Sequence, residues 1–157
     1  MFLLLLTLTL TGAAIHAARL EPRTAARVAE VVLRWVLVGY CGVPMVVVAV
    51  VTLLDPDRAA AVLGFAAGNP FEVFLGWAYL GMAVIAVLAL RFSGVYLIGP
   101  AVVWAVFFVG ATAVHHAQAL SGGVSHGGLL WIFATHGLIS VVLGGALVAS
   151  GVWRRSS

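Results

Sequence analysis

Apolar residues run along this chain in five long stretches, and polar or charged residues separate them. The stretches cover about residues 2–18, 32–54, 71–90, 95–119 and 128–152. The hydrocarbon core of a bilayer is about 30 Å thick, and a helix needs roughly 20 apolar residues to cross it. The pattern therefore predicts an all-α integral membrane bundle of five transmembrane helices, which forms a single domain over residues 1–157.

The second stretch is expected to start as a helix before it enters the membrane. Arginines and Glu30 recur there at three- and four-residue spacing across residues 23–34, and side chains at this spacing share one helix face. Pro44 then interrupts the apolar run. Because proline has no N–H to donate and crowds the preceding turn, we expect a kink in mid-membrane, with the carbonyl of Tyr40 bonded to another donor.

The connection between the second and third stretches carries two helix-start signals. Asp55, followed by Pro56, is expected to cap a short helix that lies along the interface in the outer loop. Asn69 is expected to cap the next helix, with Pro70 as its first residue. Glu72 falls at the third position, which is the arrangement of a capping box. A structural role at the helix start is therefore the first interpretation of Glu72.

The charged residues flank the apolar stretches and indicate an orientation. All eight basic residues are arginines, and with Met1 outside, seven of them fall on the inner side and only Arg58 on the outer side. Since basic loops stay in the cytoplasm, the N-terminus is predicted outside and the C-terminus inside, in the inner or plasma membrane of the cell. Small residues at 14–18 are typical of a signal-peptide cleavage site, but no basic residue precedes the first stretch, so we expect it to be retained.

Composition excludes a water-soluble domain. Hydrophobic residues make up 64% of the chain and charged residues 8%, whereas soluble domains average about 45–50% and about 25%. The net charge of +3 does not indicate nucleic-acid binding, because the arginines flank membrane stretches and no nucleic-acid module is present. The lone Cys41 lies inside an apolar run and is expected to pack there. The expected partners are the lipid bilayer and other membrane subunits.

Candidate chemistry is concentrated in the histidines predicted at the outer side. His115 and His116 end the fourth stretch, His126 follows in the loop, and His136 lies about two turns into the fifth. Imidazole binds zinc, copper and iron, so His115, His136 and His126 are candidate ligands of a transition metal. The alternative is structural, since histidines rest readily at the headgroup boundary or bond to a neighbouring helix. No catalytic motif is present, and no cofactor is certain.

Small residues recur at four-residue spacing, which lets membrane helices approach closely. The pairs are Gly64 and Gly68, Ala113 and Ala117, Gly145 and Ala149, and Ala146 and Ser150. Together with spans that are poor in polar residues, they favour a non-catalytic accessory subunit of a larger membrane complex, of the respiratory or membrane oxygenase type. A histidine metal or redox site, used for metal handling or electron transfer, is one alternative. A small transporter is another.

The outer loop also resembles a family of small prokaryotic membrane proteins that is defined only as a domain of unknown function. In that family Pro-Asp is followed by Gly-Trp, Gly-Ser-Pro-Phe and a glutamate that enters a helix. The matching residues are Asp55-Pro56-Asp57, Gly64-Phe65, Gly68-Asn69-Pro70-Phe71 and Glu72, with Gly110-Ala111 leading to His115 further on. The resemblance covers about residues 35–150. It implies a compact multi-span bundle with an ordered outer loop, and it implies no catalytic role.

Overall fold

The computed structural model of the chain describes residues 2–63, 68, 70–120 and 133–155, and every regular element within these ranges is helical. The α-helices are α1 (Phe2–Ala18), α2 (Ala25–Trp35), α3 (Val43–Leu54), α4 (Pro56–Leu63), α5 (Pro70–Val87), α6 (Ile98–Leu120) and α7 (Leu138–Ser150). Two π-helical segments are π1 (Val36–Gly42) and π2 (Phe133–Gly137). Three 3₁₀ turns cover Leu88–Leu90, Gly94–Leu97 and Val152–Arg155.

Four continuous helices in the described part of the chain are long and apolar enough to cross a membrane. They are Ala25–Leu54, Pro70–Leu90, Gly94–Leu120 and Thr135–Arg154. The first stretch forms α1, which is apolar but has only 17 residues, a length of about 25 Å at 1.5 Å per residue. The prediction of an all-helical bundle with membrane-spanning helices is confirmed. The count of five spans stays a prediction, because α1 is shorter than the other four.

The second span begins well before its apolar run, as its charge spacing predicts. Thr24 caps the start of α2, where its hydroxyl accepts a hydrogen bond from the backbone N–H of Arg27 over 3.3 Å. Just before Pro44, the π-helical segment π1 ends where α3 begins, and the kink expected at Pro44 stays a prediction. The N–H of Val43 donates to the carbonyl of Val38, five residues earlier, which is the π-helical pattern.

The helix-start signals between the second and third apolar stretches predict the starts of α4 and α5 correctly. α4 begins at Pro56, and the carboxylate of Asp55 accepts a hydrogen bond from the N–H of Arg58 over 3.1 Å, so Asp55 is the predicted cap. α5 begins at Pro70, also as predicted. The cap proposed at Asn69 lies outside the described residues.

The core lies between the second, third, fourth and fifth apolar stretches, where α2, π1, α5, α6 and α7 meet. Trp104 is fully buried at its centre, and its indole N–H donates to the carbonyl of Met82 on α5 over 3.2 Å. Cys41 is also fully buried, in agreement with the packing role expected for it. The core around Trp104 and Cys41 also contains fully buried aliphatic side chains, which are Leu33, Leu37, Leu97, Ile139 and Leu143.

α1 packs against α2 and π1. Its buried residues are spaced three or four apart and form one face, which consists of Leu6, Thr9, Ala13 and Ala17. The approach is close, because a Cβ added to Gly39 would lie 2.7 Å from the hydroxyl oxygen of Thr9. The first apolar stretch is therefore part of the described bundle.

Candidate functional site

The two π-helical segments meet inside the bundle. The hydroxyl of Tyr40, on π1, donates a buried hydrogen bond of 3.3 Å to the carbonyl of Thr135, on π2. A π-helical turn shifts the backbone register by one residue, and such turns often mark functional positions in membrane and soluble helices alike. The polar groups next to this contact are consequently the first candidates for a site.

Two of the histidines that the sequence predicts as metal ligands, His115 and His136, lie close together in the structure. The ring centroids of His115, on α6, and His136, on π2, are 6.0 Å apart, with their planes inclined by 60°. Phe108 also contacts His136, in an edge-to-face arrangement with the ring centroids 5.2 Å apart. The neighbouring His116 is exposed and lines a separate groove between α6 and α7. His126, the third proposed ligand, lies outside the described residues.

Hydrogen bonds fix the orientation of both rings. Nδ1 of His115 lies 3.1 Å from the side-chain oxygen of Gln118, and an amide oxygen only accepts, so Nδ1 carries the hydrogen. The lone pair of His115 is then on Nε2, the nitrogen free to bind a metal. Nδ1 of His136 lies 2.9 Å from the hydroxyl of Thr135. Partners of this kind hold the second ring nitrogen of metal-binding histidines in known sites.

The separation of the two rings suits a shared metal ion. Metal–nitrogen bonds of about 2.0–2.1 Å place the centroids of two imidazoles on one ion roughly 5–6 Å apart. Among the described residues, however, no group of three His, Cys, Asp or Glu side chains has the spacing of a metal site. The described part of the chain therefore brings two imidazoles together without a third potential ligand beside them.

Glu72 lies in an environment that the sequence does not indicate. Its side chain is 1% exposed, and neither carboxylate oxygen has a hydrogen-bond partner among the described residues. One turn further along the same face of α5, a Cβ on Gly76 would lie 2.9 Å from Leu53 and 3.4 Å from Thr52, so this face packs on α3. The back-bond to Asn69 expected of a capping box is thus not among the described contacts. Glu72 is a buried carboxyl on the face of α5 that packs on α3, and the capping box stays a prediction because Asn69 lies outside the described residues.

Sequence reasoning also missed a polar cluster at the opposite end of the bundle. His16 accepts a hydrogen bond of 3.1 Å from the indole N–H of Trp35. Arg34 donates to the carbonyls of Ala89 and Leu90, at the end of the helix that starts with α5. The partners are 19 to 56 positions apart along the chain, so no local pattern could have revealed them.

Comparison with known proteins places the chain in a family. A model for a family of unknown function (DUF6790) matches residues 1–155, which includes α1 and extends beyond the range in which the loop motif is recognised. No curated protein and no solved structure matches the chain. The chain therefore belongs to the DUF6790 family of unknown function.

Proposed function

We propose that this protein is a non-catalytic accessory subunit of a larger membrane complex, of the respiratory or membrane oxygenase type. The observation that carries the proposal is that the small residues of α7 lie on two faces, one buried in the bundle and one exposed. Ala146 and Ser150 are buried within the bundle, whereas Gly145 and Ala149 are exposed on another face. A Cβ on Gly145 would have no atom of another described element within 4 Å.

The adjacent surface supports the same proposal. Exposed small residues continue on α6 at Ala113 and Ala117, and an open groove of about 360 Å³ runs between α6 and α7. Thr112, His116 and Ser140 lie along this otherwise apolar groove. Without a hydrophobic driving force in lipid, helices associate through close packing of small residues and through polar contacts. This surface offers both to the helix of a partner.

The exposed and the buried small residues of α7 provide a matched test. Gly145→Leu is expected to remove a co-purifying partner while the unfolding midpoint of the protein stays within a few degrees of wild type. Ala146→Leu is expected to lower that midpoint, because overfilling the bundle costs about 1–3 kcal/mol of the free energy of unfolding. The measurements are crosslinking in native membranes, mass spectrometry of the gently solubilised protein, and thermal unfolding. A wild-type protein that is monomeric and without crosslinked partners would overturn the proposal.

We also propose five spans in the inner or plasma membrane, with the N-terminus outside and the C-terminus in the cytoplasm. The native Cys41 is fully buried, so an impermeant maleimide should not label the wild type. Arg58→Cys, in the exposed part of α4, is expected to react in intact cells. Ser93→Cys, in the exposed turn before α6, is expected to react only after permeabilisation. The reverse accessibility of the two cysteines would invert the proposed orientation.

A second candidate function is a metal or redox site at the outer end, and the 6.0 Å approach of His115 and His136 favours it. Imidazoles held by Gln118 and Thr135 suit zinc, copper or iron. His126 or a residue of another subunit would supply a further ligand. Such a site would serve metal handling or electron transfer.

Metal titration of purified variants tests this candidate. Wild type is expected to bind about one equivalent of Cu²⁺ or Zn²⁺, and His115→Ala and His136→Ala are each expected to weaken binding by about tenfold or more. His116→Ala is the control, because His116 lies one position along the same helix but faces the groove. Equal metal affinity in all four proteins would contradict the site.

A further inference from the structure

A cavity of about 220 Å³ lies at the arginine-rich end of the bundle, where α1 and α2 meet the end of the span that starts with α5. Polar His16, Arg34 and Trp35 line it together with Val31, Val38, Gly39, Ala89 and Leu90. His16, Trp35 and Leu90 are exposed, so the cavity opens on the side of the bundle. At about 30 Å³ per water molecule it is the size of roughly seven waters, which suits a polar headgroup.

Arg34 is held at the wall of this cavity by two hydrogen bonds. Its Nε donates to the carbonyl of Ala89 over 3.0 Å, and its Nη2 donates to the carbonyl of Leu90 over 3.1 Å. These bonds satisfy carbonyls at a helix end and leave the charge of the guanidinium in place. No hydrogen bond among the described residues uses Nη1. Arg34 therefore offers a positively charged donor in a fixed position.

His16 supplies a second donor, and the contact with Trp35 determines which nitrogen carries the hydrogen. An indole N–H can only donate, so Nδ1 of His16, 3.1 Å from it, must accept. The hydrogen of the neutral ring is then on Nε2. Among the described residues, no other hydrogen bond involves this imidazole. Nη1 of Arg34 and Nε2 of His16 can thus each form a further hydrogen bond, and both atoms are donors.

The surroundings add positive charge. The exposed arginines at this end are Arg19, Arg23, Arg27, Arg91 and Arg154. The acidic residues near them are Glu21 and Glu30, and the carboxylate of Glu30 already accepts a hydrogen bond from the N–H of Gly94 over 3.4 Å. No Asp or Glu is among the described residues that line the cavity, so no carboxylate there attracts an ammonium group. An anion is the favoured occupant.

We propose that this cavity binds the anionic headgroup of a membrane lipid. Nη1 of Arg34 and Nε2 of His16 donate to the phosphate oxygens, in bonds that the ionic charges strengthen. Val31, Val38 and Leu90 contact the first carbon atoms that follow the headgroup. These apolar walls distinguish a lipid from free phosphate, and a described lining without carboxylates favours an anionic lipid over a zwitterionic one. Basic pockets between membrane helices bind anionic lipids in the same way.

The test compares thermal unfolding and native mass spectra of the full chain in nanodiscs of phosphatidylcholine with and without phosphatidylglycerol. Phosphatidylglycerol is expected to raise the unfolding midpoint and to co-purify, while inorganic phosphate has no effect. Arg34→Gln is expected to weaken binding of this lipid about fivefold or more. The matched control Arg23→Gln removes the same charge from an exposed position outside the cavity, and it should bind as wild type does.

Because Arg34 also bonds a helix end, two further variants separate lipid binding from folding. His16→Phe removes the second donor, and Val38→Trp fills the cavity. Both are expected to fold in phosphatidylcholine and to lose the stabilisation by phosphatidylglycerol. If Arg23→Gln weakened lipid binding as much as these variants, the lipid would act through diffuse surface charge, and the proposal would fail. Equal stabilisation by inorganic phosphate would overturn it in favour of a free anion.

Discussion

Replacement of Gly42 by alanine is expected to lower the free energy of unfolding by about 1–3 kcal/mol, because the added methyl group overfills a contact between two backbones. The Cβ would lie 3.1 Å from the carbonyl oxygen of Leu37 and 3.2 Å from the backbone nitrogen of Val87, with a methyl of Val87 at 2.8 Å. A side chain can rotate away from such a contact. The backbone nitrogen of Val87 cannot, so π1 and α5 would have to move apart, and the carbonyl of Leu37 lies within π1 itself.

The control for this prediction is Gly81→Ala on α5, where an added Cβ has no atom of another described element within 4 Å. Alanine there is expected to leave stability unchanged or to raise it by up to about 1 kcal/mol, since glycine is the poorer helix former. Unfolding of both variants would be followed by circular dichroism in mixed micelles of rising denaturing-detergent content. Equal losses in the two variants would show that the close approach of π1 and α5 does not determine stability.

Replacement of Glu72 by methionine is expected to raise the free energy of unfolding by about 1–3 kcal/mol, the cost of a buried polar group without a partner. The side chain of Glu72 is 1% exposed, and neither of its oxygens is hydrogen-bonded within the described residues. Methionine has a similar length and no group that needs a partner. Replacement of buried charged groups by apolar ones of similar size is often stabilising.

Glu30→Met is the matched control, because the carboxylate of Glu30 accepts a hydrogen bond from the N–H of Gly94. It is expected to lower stability by about 1 kcal/mol. The measurement is the detergent unfolding curve of the three proteins under one condition. A loss of stability in Glu72→Met comparable to that in Glu30→Met would mean that Glu72 does have a partner, as the capping-box prediction requires.

A stabilising result at Glu72 would bear on function. An ionisable group inside a membrane span is costly, and such groups usually serve a binding site, a proton path or a contact with another protein. Groups that lower stability in this way are typical of functional positions, where activity requires them. Glu72 would then be as strong a candidate for function as His115 and His136, although the sequence first indicates a capping role for it.

The sequence by itself determined the helices of this protein. In lipid a backbone must satisfy its own hydrogen bonds, so an apolar stretch of about 20 residues has to be helical. The predicted stretches 71–90 and 95–119 correspond closely to Pro70–Leu90 and Gly94–Leu120. Local chemistry was equally informative at Asp55 and Pro56, since a cap and a first-turn proline act within four residues.

Only the tertiary structure decided which faces are inside. A membrane helix is apolar on all sides, so its hydrophobic pattern does not identify the face that packs, as an amphipathic pattern does in a soluble protein. The rotation and arrangement of the helices decide that His115, and not its neighbour His116, lies close to His136. They also bury Glu72 against α3 and bring Arg34 to the carbonyl of Ala89, 55 residues away. That arrangement follows from close contacts between distant residues, such as Gly42 with Val87, which no local sequence pattern records.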